Sequence, residues 1–320
     1  MIESLPLLAW PPFRQALTIL IFHRVLAVPD PLRPGEPDAV GFDRFMGFIA
    51  RHFDVLPLRE AAELLRQGCL PRRACCISFD DGYADNLTIA LPILEKYRLP
   101  ATVFIATGYL DGGRMFNDAV IDAIAATGHP RLDLTGIGLG EHALAGLEAR
   151  RAAIAAILEK LKYRPPEQRR EDVAHLLEQT DCGPLPTDIM LTAAQVRELS
   201  HRGVDLGGHT VNHPILASVE DDVARQEITA GRQRLETITG KPVLTFAYPN
   251  GRPHRDYAAR HVAMVRELGF ELAVSTAHGV GNTGSDSFQL PRFTPWGATN
   301  AKRSAQMLRN AWTGKAITAC

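Results

Sequence analysis

The sequence predicts an α/β fold built on parallel strands joined by crossover helices. Two observations carry this. Short β-branched or apolar runs alternate with helical patterns along most of the 320 residues, and that alternation implies either a doubly wound sheet or a closed barrel. The length agrees, because a single α/β barrel occupies about 250 residues or more.

The first strand is expected at Leu17–His23. Its apolar core, Ala16–Phe22, is far shorter than the ~20 residues that span a bilayer. Glu3, two prolines on the approach and the lack of a small-residue cleavage site argue against a leader. Further strands are expected at Phe53–Leu56, Ala74–Phe79, Thr102–Ala106, Val204–Gly208, Leu244–Tyr248, Leu272–Ser275 and Phe288–Phe293. Between the first two, Phe42, Phe45, Met46 and Ile49 fall on one face of an amphipathic helix. The next helix, Leu58–Gln67, stops at Gly68. Thr192 and Gln195 have capping-box spacing, and Gly203 closes the helix they start. Helices are also expected at Asp221–Thr239 and Asp256–Leu268. Residues 131–190 break the rhythm with an Ala-, Leu- and Arg-rich stretch that reads as helices without strands, an inserted helical cap on one domain spanning 1–320.

Composition narrows the function. Lys plus Arg number 35 and Asp plus Glu 36, for a net charge of −1 with no long single-sign run. A nucleic-acid footprint needs clustered Lys and Arg and is excluded. Five cysteines, with no C-x-x-C pair, fit a reducing compartment, and a cytoplasmic protein is expected.

Three motifs sit at expected strand ends, where both candidate architectures place their sites. The first is Ser78-Phe79-Asp80-Asp81-Gly82-Tyr83. Adjacent carboxylates repel and call for something electropositive, although an Asp-Gly surface turn is the plainer reading of such a run. The second is His209-Thr210-Val211-Asn212-His213-Pro214, whose two imidazoles converge on one ion if the segment makes a helical turn, against the bias of Pro214. An incidental surface loop is the alternative. With a carboxylate from another strand end, the pair makes a His₂-carboxylate set suited to Zn²⁺ or another borderline divalent metal. The third, Thr245-Phe246-Ala247-Tyr248-Pro249-Asn250-Gly251, is by itself a strand followed by a turn.

In this order the three motifs, with Phe22-His23-Arg24-Val25 before them and Leu290-Pro291-Arg292 after them, resemble the polysaccharide deacetylase family with the NodB homology domain, carbohydrate esterase family 4, and its exopolysaccharide-associated bacterial members. The resemblance covers roughly residues 17–295. It implies a distorted, incomplete (β/α) barrel and metal-dependent removal of acetyl groups from an N-acetylated glycan. Carried over by residue, Asp80 matches the catalytic base, and Asp81, His209 and His213 match the metal ligands, with Zn²⁺ the first candidate. A carboxylate left unligated beside a metal stays ionised and can take a proton from an attacking water. A backbone N–H in the Tyr248 turn is expected to help stabilise the oxyanion.

The chain departs from the family in two places. Ala247-Tyr248-Pro249-Asn250 replaces an Arg-Pro-Pro-Tyr-type motif whose arginine orients the base, and Arg292 is the candidate substitute, with an ordinary surface arginine as the alternative. The late Leu-x-His motif that supplies the acid has no clear counterpart, and His278 is the nearest in order. Tyr248, Asn250, His23 and Asp118 are expected to contact substrate, with a structural histidine and a helix cap as the alternatives for His23 and Asp118. Asn117 is weighed with Asp118, and Phe116 and Trp296 are either sugar platforms or packing residues. Hydrolysis of another linear amide or an N-formyl sugar, and a catalytically silent carbohydrate-binding module, are the competing functions.

Overall fold

The computed structural model describes residues 15–295, 299–313 and 317–319. Seven parallel strands make the central sheet: β1 (Thr18–Phe22), β2 (Asp54–Val55), β3 (Ala74–Phe79), β4 (Thr102–Ile105), β7 (Asp205–Gly208), β8 (Thr245–Ala247) and β9 (Leu272–Val274). They run in the order β1-β3-β4-β7-β8-β9, with β2 paired to β3. Strands β1, β3 and β4 are buried along their whole length, which is why they read as unbroken apolar runs rather than alternating ones.

The sheet curves into an open half-barrel. The expected strand Phe288–Phe293 is not a strand. It bridges the gap with isolated pairs, Leu290 to Val274 of β9 and Phe293 to Leu20 of β1. Pro291 between them has no N–H to give to a ladder. Arg292 is thereby carried across the mouth of the gap.

Helices α1 (Ala39–His52), α2 (Leu58–Gln67), α3 (Leu91–Tyr97), α7 (Ala193–His201), α8 (Asp221–Thr239), α9 (Ala259–Glu267) and α10 (Asn300–Thr313) accompany the sheet. In α1 the Asp38 carboxylate accepts the Gly41 N–H, and Phe42, Phe45, Met46 and Ile49 are buried, the face expected from spacing. Phe42 packs against Phe22 and Phe79 with ring centroids 5.4 and 5.9 Å apart. The capping box of Thr192 and Gln195 starts α7, and Gly68 ends α2 in the left-handed region. Helix α9 starts later than expected because Asp256 instead accepts the Arg252 N–H, closing a loop at Pro253–Tyr257.

The insertion is not purely helical. Strands β5 (Arg131–Leu134) and β6 (Gly140–Ala143) form an antiparallel hairpin. Leu132 and Leu134 face inward while Arg131 and Asp133 face solvent, and Gly138 and Gly140 take up the positive φ of the turn. Helices α4 (Phe116–Ala126), α5 (Leu147–Lys162) and α6 (Pro166–Thr180) close over this hairpin around a separate apolar cluster that includes Val120, Leu134, Ile157 and Leu176.

Candidate active site

Register places the motifs together. Phe22 pairs with Phe79, Ile105 with Gly208, and Ala247 with Val274. The residues that follow, His23, Asp80, Asp81, His209 and Asn250, therefore emerge at one end of the sheet. All five line a cavity of about 550 Å³ whose lining also includes Phe116 of α4 and Leu158 of α5 in the insertion.

Asp80 and Asp81 take different partners. Arg292 Nη1 and Nη2 donate to Asp80 Oδ1 and Oδ2 at 2.6 and 2.7 Å, a bidentate fork. Arg292 Nε donates to the Ser275 carbonyl at 3.0 Å, and the guanidinium lies 5.5 Å from the Phe104 ring centroid. The arginine is 2 % exposed. Burial would raise the Asp80 carboxyl, but the charge of Arg292, then His209, and the Arg292 hydrogen bonds hold it below the usual carboxylate range. Asp80 therefore stays ionised at neutral pH.

Asp81 turns to the histidines. Its Oδ1 lies 3.5 Å from both His209 Nε2 and His213 Nε2, and that buried oxygen has no hydrogen-bond partner. An unsatisfied buried carboxylate oxygen facing two imidazole nitrogens, all within 4.8 Å of one another, suits a cation. The histidines are prepared for it. His209 Nδ1 sits 2.7 Å from the Ala247 carbonyl, which leaves Nε2 facing the site. Burial is the largest influence on His213 and pushes its imidazole down to about 3, so it is neutral and able to donate its lone pair. Burial opposes the charged form of Asp81, yet His209 and His213 keep it below the usual carboxylate range.

The turn holding His213 is built around one residue that sequence reading missed. Glu227 of α8 accepts the backbone N–H groups of Val211 and Asn212 at 2.9 and 2.7 Å and the Asn212 side chain at 2.7 Å. Thr210 Oγ1 accepts the His213 N–H at 3.0 Å. This anchoring supports left-handed backbone at Thr210 and His213, a conformation also found at Asp81 and Asn250. Such residues persist where the surroundings over-determine them. An acid in the middle of a helix reads as a solvated face, so nothing in the pattern singled Glu227 out.

The remaining expected residues divide. His23 is exposed where it lines the cavity. Desolvation opposes its charge, but Asp81, Glu36 and Asp80 outweigh it and raise its pKa. Asn117 and Phe116 line the cavity with Asp118, but the Asp118 carboxylate is committed to Tyr83 Oη at 2.7 Å and to Arg24 and Arg33 at 3.3 Å each. Tyr248 is not at the cavity. Its ring is buried and stacked on Tyr257 at 4.0 Å, its hydroxyl donates to the Phe288 carbonyl, and its N–H donates to the Val274 carbonyl. The Tyr248 amide is thus not an oxyanion donor. His278 is exposed against Phe293 and does not line the cavity. Trp296 lies outside the described residues.

A family model described as polysaccharide deacetylase matches residues 67–132 and 147–273. The chain belongs to the polysaccharide deacetylase family. Most of the β5–β6 hairpin falls in the gap between the matched blocks. Among solved structures, the deacetylase PplD of Streptococcus pyogenes superposes with a TM-score of 0.60 at 20% identity, covering 92% of this chain and 98% of that one. IcaB of Ammonifex degensii superposes with a TM-score of 0.57 at 16% identity, over 93% and 97% of the two chains. These likenesses show the fold. A shorter and closer match, 42% identical over 55 residues, is to a poly-beta-1,6-N-acetyl-D-glucosamine N-deacetylase of Staphylococcus aureus, and it spans 17% of this deacetylase-family chain and 19% of that protein.

Proposed function

We propose that the protein is a divalent-metal-dependent hydrolase that removes acetyl groups from an N-acetylated amino sugar in a polysaccharide or oligosaccharide precursor and releases acetate. The observation that carries this reading is the split pair at the end of β3: Asp80 is held ionised by a buried Arg292, and Asp81 is turned away to His209 and His213. A base and a ligand set are thus made from adjacent carboxylates. The name of the staphylococcal relative supports an N-acetylated glycan as substrate.

Asp81, His209 and His213 fit a divalent cation, and their mixed nitrogen and oxygen donors put Zn²⁺ first. Such an ion supplies polarisation of an acyl oxygen and a lowered pKa for a water beside it. Asp80, fixed by the guanidinium fork, takes the proton from that water as it attacks the amide carbon. Arg292 keeps the carboxylate charged and aimed, the role the departure from the third motif left open. In the turn after β8 the Tyr248 N–H is used, Pro249 has none, and the Gly251 N–H donates to the Pro249 carbonyl. The Asn250 N–H is left as the backbone donor for the developing oxyanion. His23, with its protonated form favoured by the surrounding carboxylates, supplies a proton to the departing amine.

The test is to incubate the protein, before and after chelation and with Zn²⁺ restored, with N-acetylglucosamine oligomers and to assay acetate and free amine. Acetate release that is lost on chelation and regained on restoration is expected. Release of formate from an N-formyl sugar alone, or saccharide binding with no turnover on any acylated amino sugar, would replace this reading.

A further inference from the structure

The cavity carries a group of cations that the deacetylation chemistry does not use. Lys162, at the end of α5, and Arg252, in the loop after β8, both line it. Arg169 of α6 is 7 % exposed and lies 4.5 Å over the ring of Phe116, itself a cavity wall. Its guanidinium donates one long hydrogen bond, 3.4 Å, to the Lys162 carbonyl. Among the described residues no carboxylate pairs with Lys162, Arg169 or Arg252. Lys162 is half-buried and Arg252 exposed, while Arg169 is buried directly behind the wall they line. A desolvated cation with no carboxylate partner is costly, so the burial of Arg169 beside two further unpaired cations needs an explanation.

The other charges of the cavity do not supply it. Arg24 is paired with Asp85 and Asp118, and Arg33 with Asp30, Asp118 and Asp122. Glu36 accepts the Arg24 N–H. Asp256, the acid beside Lys162, already accepts the Arg252 N–H at 3.0 Å and the Tyr163 hydroxyl at 3.4 Å. Burial, then the charges of Arg252 and Arg255, lower the Lys162 pKa against the pull of Asp256, as expected for crowded cations.

We propose that Lys162, Arg169 and Arg252 form an anion subsite beside the deacetylation centre, which takes a phosphate or carboxylate group carried on the saccharide next to its acetamido group. Guanidinium forks and a lysine ammonium are the side chains suited to either oxyanion. This rests on the deacetylase reading but makes the substrate an acidic or phosphorylated saccharide rather than a neutral one. The insertion then has a task, since it supplies two of the three cations.

The test is calorimetric titration of the Asp80→Asn protein, in which turnover is expected to be slowed, with N-acetylglucosamine, N-acetylglucosamine 1-phosphate and a glucuronate-containing disaccharide of N-acetylglucosamine. At low salt at least one anionic compound is expected to bind about tenfold tighter than the neutral sugar or better, with the advantage shrinking as salt rises. Which compound gains identifies the source of the anion. Arg252→Glu, at an exposed position that does not threaten the fold, is expected to abolish the advantage. Equal binding of all three compounds, or an advantage that survives Arg252→Glu, would overturn the subsite. Absence of acetate release by the wild-type protein alongside an intact anion preference would instead remove the deacetylase reading alone.

Discussion

Replacing Arg292 with Gln isolates the contact on which the proposed base, Asp80, depends. The side chains of Arg292 and Asp80 are 0% and 4% exposed and share two short charge-assisted bonds. Removing one partner of such a pair leaves an uncompensated buried charge, which costs roughly 3–5 kcal/mol. Arg292→Gln is expected to lose that much in urea unfolding, and Asp80→Asn in the same background to recover part of it. The pH dependence follows from sign. In the wild type the folded pKa of Asp80 is depressed, so the stability it contributes is complete above the unfolded value of about 3.9 and is lost as pH falls through the folded value. Without Arg292, burial is the largest remaining influence and raises that pKa. The acid limb of kcat/KM is then expected to move to higher pH, while the stability gap from wild type narrows toward low pH, where Asp80 is neutral in both proteins. A variant within about 0.5 kcal/mol of wild type, with an unmoved acid limb, would refute the reasoning.

Other outcomes follow from the same geometry. His209→Ala and Asp81→Ala are expected to lose the metal, measured by atomic emission on purified protein, while Asp80→Asn keeps it. Glu227→Ala frees the turn between the histidines, and metal affinity in a competition titration is expected to fall about 10–100-fold, the range for groups that orient ligands. In β7, a Cβ on Gly207 would meet the Phe104 ring at 2.3 Å and Thr245 Oγ1 at 2.7 Å. Gly207→Ala is expected to cost about 1–3 kcal/mol in denaturant unfolding and, because Phe104 lies against Arg292, to lower activity as well.

Much of the sheet was legible because buried parallel strands are apolar throughout, and Ala74–Phe79 was located to the residue. The segment at 288–293 was misread because Leu290 and Phe293 are as apolar as any strand, while its pairing to two different partners is a tertiary property. The hairpin at Arg131–Ala143 escaped because four-residue strands offer too few alternations to stand out beside long helices. At the site, local motifs announced Asp80, Asp81, His209 and His213 because each sits in a short run at a strand end. Arg292 was found by its place near such an end. Tyr248 was misplaced because three successive buried residues, Phe246 to Tyr248, do not reveal which face looks into the cavity. Glu227 reaches the histidine turn from a helix far along the chain, and no local pattern marks it or the Arg169 and Lys162 of the proposed anion subsite.

The most direct test is the rate of acetate release from N-acetylglucosamine oligomers by the Asp80→Asn protein carrying its full complement of metal. A loss of about 10²–10⁴-fold relative to wild type is expected when the general base is removed. Turnover within tenfold of wild type, with the metal retained, would contradict Asp80 as the base and with it the division of labour between the two adjacent carboxylates.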